Sequence, residues 1–161
     1  MHKRRSHSMN SKLLLAGAML TIVVTAFPAR ASLGGDTASV QADQLYMQGT
    51  RQTIAAESYT VHEIQAGAGA VVREYVSPAG KVFGLAWHGR WPPNMRQLLG
   101  SYFEQYVQAA KAQSGYRRGR RPLMIEQPGL VVQMGGHPRA FAGMAYVPEM
   151  LPPGVRAEEI Q

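Results

Sequence analysis

Cysteine is absent from all 161 residues, which excludes disulfides, a thiol nucleophile and thiolate metal ligands together. It also excludes a lipid anchor of the bacterial type, because Ser32 stands where the acylated cysteine would have to be. Charge is sparse: Asp, Glu, Lys and Arg make up 17% of the chain, against an average of about 25%. No apolar run beyond residue 31 approaches the roughly 20 residues of a membrane-spanning helix. Internal repeats are lacking, as are paired histidines one helical turn apart, so a local zinc signature is absent.

The formal charge of +7 suggests nucleic acid at first sight. Five of the seventeen cationic residues (Lys3, Arg4, Arg5, Lys12 and Arg30) lie within the first 31 positions, which hold no acid. The remainder carries twelve cations against ten anions, a balance too even for long-range steering toward a polyanion. Those 31 residues follow the three-part order of a secretory signal: a basic leader, the apolar run Leu13–Phe27, then Pro28 and the small-residue pattern Ala29-Arg30-Ala31. Cleavage after Ala31 is expected, with export to the periplasm or the medium and no transmembrane segment afterwards.

Residues 32–57, rich in Gly, Ala, Ser, Thr and Gln, read as a flexible lead-in with at most a short helix. A single domain is expected over 58–161. Tyr59–Ile64 and Val71–Val76 carry strand patterns. Ser77-Pro78-Ala79-Gly80 predicts a hairpin turn, with Pro78 presetting φ and Gly80 in the left-handed region. Lys81–Trp87 is apolar on both faces and suits a central strand, with Phe83, Leu85 and Trp87 on one side and the small face of Val82, Gly84 and Ala86 under something bulky. Met95, Leu98, Leu99, Tyr102, Phe103, Tyr106, Val107 and Ala110 recur at helical spacing, behind Pro92-Pro93 and ahead of Gly115, and this helix is the expected bulky partner of that small face. Leu123–Ile125, Leu130–Met134 and Ala140–Val147 are further strand candidates, with Gly135-Gly136-His137-Pro138 as a turn. Pro148–Gln161 is expected to run along the surface, with a helical turn near Ala157–Ile160. The fold class is α+β: an antiparallel sheet of about five to six strands with one long amphipathic helix on one face.

Several separated motifs agree in order with one family. Ser32-Leu-Gly-Gly35, Val71–Val76 with Gly80 and Val82-Phe83, Trp87, Leu98–Phe103, and Val131–Gly143 together resemble the exported bacterial domain of unknown function 2844. The resemblance implies export and carries no activity or site. The chain departs from it at Arg90-Trp91 and Asn94, where Gly-Pro and a Pro-Asp helix start are more usual.

Candidate chemistry is thin. His62, His88 and His137 lack metal-ligand spacing, so no metal and no cofactor are expected. His137 and Arg139, two residues apart in a Gly-rich turn, are the weak catalytic candidates, able to receive an anion or move a proton; turn chemistry alone explains the Gly and Pro there. Arg73 and Glu74 point to opposite faces of one strand, so each needs a cross-strand partner. Glu63, Glu74 and Glu126 show no spacing that sets two carboxylates across a bond, and Ser101 lies inside the predicted helix, not on a nucleophile elbow. Gly100 there is expected to allow close contact with the sheet. The sharpest charge feature is Arg117, Arg118, Arg120 and Arg121 behind Tyr116. With Trp91 these form the candidate binding surface, for an acidic envelope component or another exported protein and not for nucleic acid. A solvated loop after a helix C-terminus accounts for the same cations. The expectation is a noncatalytic envelope accessory or binding domain. The alternatives are a small exported hydrolase or isomerase using His137 and Arg139, and a structural assembly component.

Overall fold

The structure, a computed structural model, describes residues 33–67, 69–114 and 122–161. Helix α1 (Thr37–Tyr46) is followed by a meander of four strands: β1 (Thr50–Ala55), β2 (Thr60–Gln65), β3 (Ala70–Val76) and β4 (Val82–Gly89). A helical segment comes next, α2 (Met95–Leu99), a 3-10 turn at Gly100–Tyr102 and α3 (Phe103–Ser114). A second meander completes the sheet: β5 (Leu123–Gln127), β6 (Leu130–His137) and β7 (Ala140–Tyr146). All neighbours pair antiparallel in the order β1-β2-β3-β4-β7-β6-β5. The architecture is α+β with seven strands, more than the five to six that the sequence suggests. The additional one is β1, whose residues are all exposed and so carry no alternating pattern.

The lead-in expected over 32–57 holds both β1 and α1. Asp36 caps α1 by accepting from the Ser39 amide, as short oxygen-bearing side chains do at helix starts. Val40 and Asp43 are fully buried against the sheet. A helix anchored by one valine and two polar residues, Ser39 and Asp43, gives almost no hydrophobic signal.

The helical face of the sheet carries the main core: Val72, Val82, Leu85, Trp87, Leu98, Leu99, Ile125, Leu130 and Val132, flanked by Tyr102, Phe103 and Tyr106. Asn94 caps α2 through the Gln97 amide. Gly100, at φ +50°, marks the break in the helix, and a positive φ is itself a reason for glycine there. The expected hairpin turn is present: the Gly80 amide donates to Ser77 O, with Gly80 at φ +75°.

Two expectations are corrected. Tyr75 faces Gly84 and Val76 faces Val82, which leaves Phe83 as the extra residue of a bulge. The bulge turns Val82, Leu85 and Trp87 toward the helices and Phe83 and Ala86 the other way. The bulky group over the small face is therefore not the helix but Ile160, whose Cδ1 lies 2.8 Å from where a Gly84 Cβ would sit. The C-terminal segment 148–161 crosses this second face. It buries Ile160 with Val61, Tyr75 and Phe83 and closes with Arg73 Nη1 and Tyr75 Oη each donating to the Gln161 main-chain oxygen at 2.8 Å.

Second, Gly135, Gly136 and His137 belong to β6, not to a turn. His137 pairs with Ala140, and Pro138-Arg139 alone make the hairpin. Proline fixes its own φ, and Arg139 takes φ +73°, the second central position of a type II turn, where glycine or asparagine is usual. Gly136 has no alternative at φ +123°, since a Cβ there would fall 2.1 Å from Ala140 O.

Candidate functional site

Two regions gather chemistry-bearing side chains. The first lies on the tail-covered face. There the register sets His88 of β4, Ala142 of β7 and Gly135 of β6 in one row, with Pro122 against Gly135. Small residues in mid-row leave a shallow floor between taller walls. Two hollows result, of about 560 and 390 Å³, sharing His88 and Ala142. The larger runs along Gln133, Met144 and Ile160; the smaller opens beside Arg90 and Arg139. Both arginines are exposed and neither has an ion-pair partner among the described residues.

The predicted residues distribute unevenly here. Arg139 lines the groove. His137 stands one same-face position further out, paired with Ala140 and with Nδ1 3.2 Å from Pro138 O. Among the described residues no carboxylate bonds to His137 or Arg139. Arg73 is committed to Glu63, directly opposite in register, through Nε to Oε2 at 2.8 Å. That bond, more than anything else, holds the Glu63 carboxyl below its ordinary range. His62 is turned to the helical face and donates to or accepts from Thr53 Oγ1, so the three histidines do not converge. No group of three or more metal-ligating side chains occurs among the described residues. Ser101 is exposed in the 3-10 turn. Tyr116, Arg117, Arg118, Arg120 and Arg121 lie outside the described residues.

The second region was not visible in the sequence. Asp43 of α1 and Glu74 of β3 are both fully buried. Gln97 Nε2 of α2 donates to Asp43 Oδ1, while Asp43 Oδ2 and both Glu74 oxygens have no hydrogen-bond partner among the described residues. Two carboxylates cannot hydrogen-bond each other, but a carboxylic acid and a carboxylate can. Burial first, then the charge of Asp43, drives the Glu74 carboxyl well above its ordinary range. Burial raises Asp43 too, against the lowering pull of the Gln97 bond. Both shifts favour protonation over two buried charges side by side. Burial, and then the charge of Arg51, lowers the His62 imidazole beside it. The spacing Val40–Asp43–Met47, one helical face, was the only sequence signal for Asp43.

Beside this pair is a hollow of about 230 Å³ walled by Tyr46, Met47, Val72, Trp91, Asn94 and Gln97. It contains the one predicted aromatic anchor that is described, Trp91, at 62% exposure.

The chain matches the family model described as Protein of unknown function (DUF2844) over residues 29–160 and belongs to that family. No curated protein and no solved structure matches it.

Proposed function

We propose that this family member is an exported, noncatalytic binding domain of the bacterial envelope or the medium, and that the tail-face groove receives an acidic partner. The observation that carries the reading is the pair of arginines, Arg90 and Arg139, with no ion-pair partner among the described residues, at the open end of a groove floored by Ala142 and Gly135. Charge-assisted bonds from guanidinium groups are among the stronger and more directional contacts to carboxylate or phosphate. Arg139 supports the reading a second way. A bulky residue held at φ +73° costs about 1 kcal/mol relative to glycine, and strain of this kind clusters at functional sites.

Export rests on the leader at residues 1–31. Mass spectrometry of the protein recovered outside the cytosol is expected to show a chain beginning at Ser32; cytosolic material retaining the leader would overturn the compartment.

Binding is tested by pull-down from envelope extract with wild type and with an Arg90→Ala/Arg139→Gly variant. The variant is expected to be as stable as wild type or about 0.5–1 kcal/mol more stable, since glycine relieves the left-handed turn, yet to lose acidic partners and the salt sensitivity of their capture. Identical partner sets for the two proteins would sink the assignment of the groove.

A further inference from the structure

The hollow on the helical face differs in chemistry from the groove. No Asp, Glu, Lys, Arg or His is among its wall residues, so it offers nothing to a charged ligand. What it offers is an exposed indole, Trp91, and an exposed phenol, Tyr46, over an apolar floor of Met47 and Val72. Amides and a hydroxyl edge the opening. Asn94 Nδ2 donates to Tyr46 Oη at 2.7 Å, which leaves the phenol hydrogen free to donate outward. Asn94 is itself fixed, because its Oδ1 caps α2, and Gln97 is fixed by its bond to Asp43. Pro92 and Pro93 stiffen the backbone that presents Trp91. The walls are therefore set before any ligand arrives, which lowers the entropy lost on binding.

We propose that this hollow binds one uncharged sugar ring, stacked on the Trp91 indole. A pyranose has a C–H face that lies against an aromatic ring and a rim of hydroxyls that both donate and accept. The hollow presents the complementary set: an aromatic wall, an apolar floor, and a rim of amide and phenol groups that also do both. Its volume of about 230 Å³ is below the roughly 300–1,000 Å³ of sites for drug-sized molecules, so it takes a single ring of a longer glycan and not an oligosaccharide. A proline-rich peptide, the other common occupant of aromatic sites, needs an extended groove for successive residues, which this compact hollow lacks. The inference stands apart from the acidic-partner reading, since the two sites share no wall residue.

The test uses the full exported chain titrated with maltotriose, cellotriose and the trimer of N-acetylglucosamine. The chain has two tryptophans, and Trp87 is 3% exposed, so a change in emission reports Trp91. A saturable blue shift with at least one trimer is expected. By calorimetry Trp91→Ala should bind that trimer about tenfold more weakly or worse, and Trp91→Phe should recover part of the loss. Asn94→Asp keeps the helix cap and removes the amide donor; it should weaken binding while leaving the unfolding midpoint in place. The Arg90→Ala/Arg139→Gly variant should bind sugar as wild type does. Failure of all three trimers to saturate, undiminished binding by Trp91→Ala, or Trp91-dependent binding of a proline-rich decapeptide in place of sugar would each overturn the proposal.

Discussion

Glu74→Ala is expected to lower stability by about 3 kcal/mol, whereas Glu74→Gln costs far less and makes stability less dependent on pH. Alanine opens a cavity in the core and removes the polar neighbour of buried Asp43, two of the mechanisms behind large mutational losses. Glutamine keeps the volume and supplies a permanent N–H donor to Asp43. The pH dependence follows from the direction of the shift. Glu74 and Asp43 are both raised in the folded protein, so the folded state holds a proton that the unfolded chain releases. Their stabilising contribution is complete below the ordinary carboxylate range and is lost as pH rises through the raised value, at no more than about 1.4 kcal/mol per pH unit for one proton. Glu63 and His62 run the other way. Both are lowered, and their contributions fall away as pH drops. Urea unfolding of wild type and Glu74→Gln at about pH 5 and about pH 8 separates the two trends: the wild type should lose ground to the variant at the higher pH. A difference that stays constant with pH would show that the pair takes up no proton on folding.

Gly143→Ala should cost about 3 kcal/mol or more. Gly143 sits between Trp87 on β4 and Met134 on β6. A Cβ there would lie 2.5 Å from Trp87 Cζ2 and 2.6 Å from Gln133 O. Neither neighbour can yield, one being main chain and the other an indole wedged in the core at 3% exposure. Overpacking of this kind usually costs about 1–3 kcal/mol, and a clash with backbone in mid-sheet lies at its upper end. The measurement is the urea midpoint at unchanged slope; equal midpoints would mean that the indole does not lie across the strand.

The sequence made some of this legible and hid the rest for identifiable reasons. β2, β3, the hairpin at Pro78–Gly80, the central place of β4 and the helix from Met95 were readable because each has a local signature: alternation, turn residues, or apolar spacing of a helix. Export, single-domain boundaries and the basic surface are readings of the same kind, still resting on the sequence. α1 and β1 were hidden because their anchoring is polar or exposed. The facing of Phe83 was misread because one bulge residue inverts the alternation beyond it. Glycines 135 and 136 looked like a turn, and they do permit unusual backbone, but inside a strand. The acid pair was out of reach because Asp43 and Glu74 are far apart in the chain and meet only through packing. Arg139 was visible as a residue, but its strained turn and its neighbour Arg90 across the groove were not.

The order β1-β2-β3-β4-β7-β6-β5 also dictates how the chain assembles. Six strand pairings build the sheet, and five join consecutive strands through short connections. The sixth, β4 with β7, zips Gly84 to Tyr146 across 62 positions. Closing so long a loop carries an entropic penalty that nearest-neighbour hairpins escape. The two meanders are therefore expected to form early and independently, with the seam between them as the late step that sets the folding rate. Ala86, Ala145 and Gly143 line that seam, so substitutions there should slow folding more than equally disruptive changes at either outer edge.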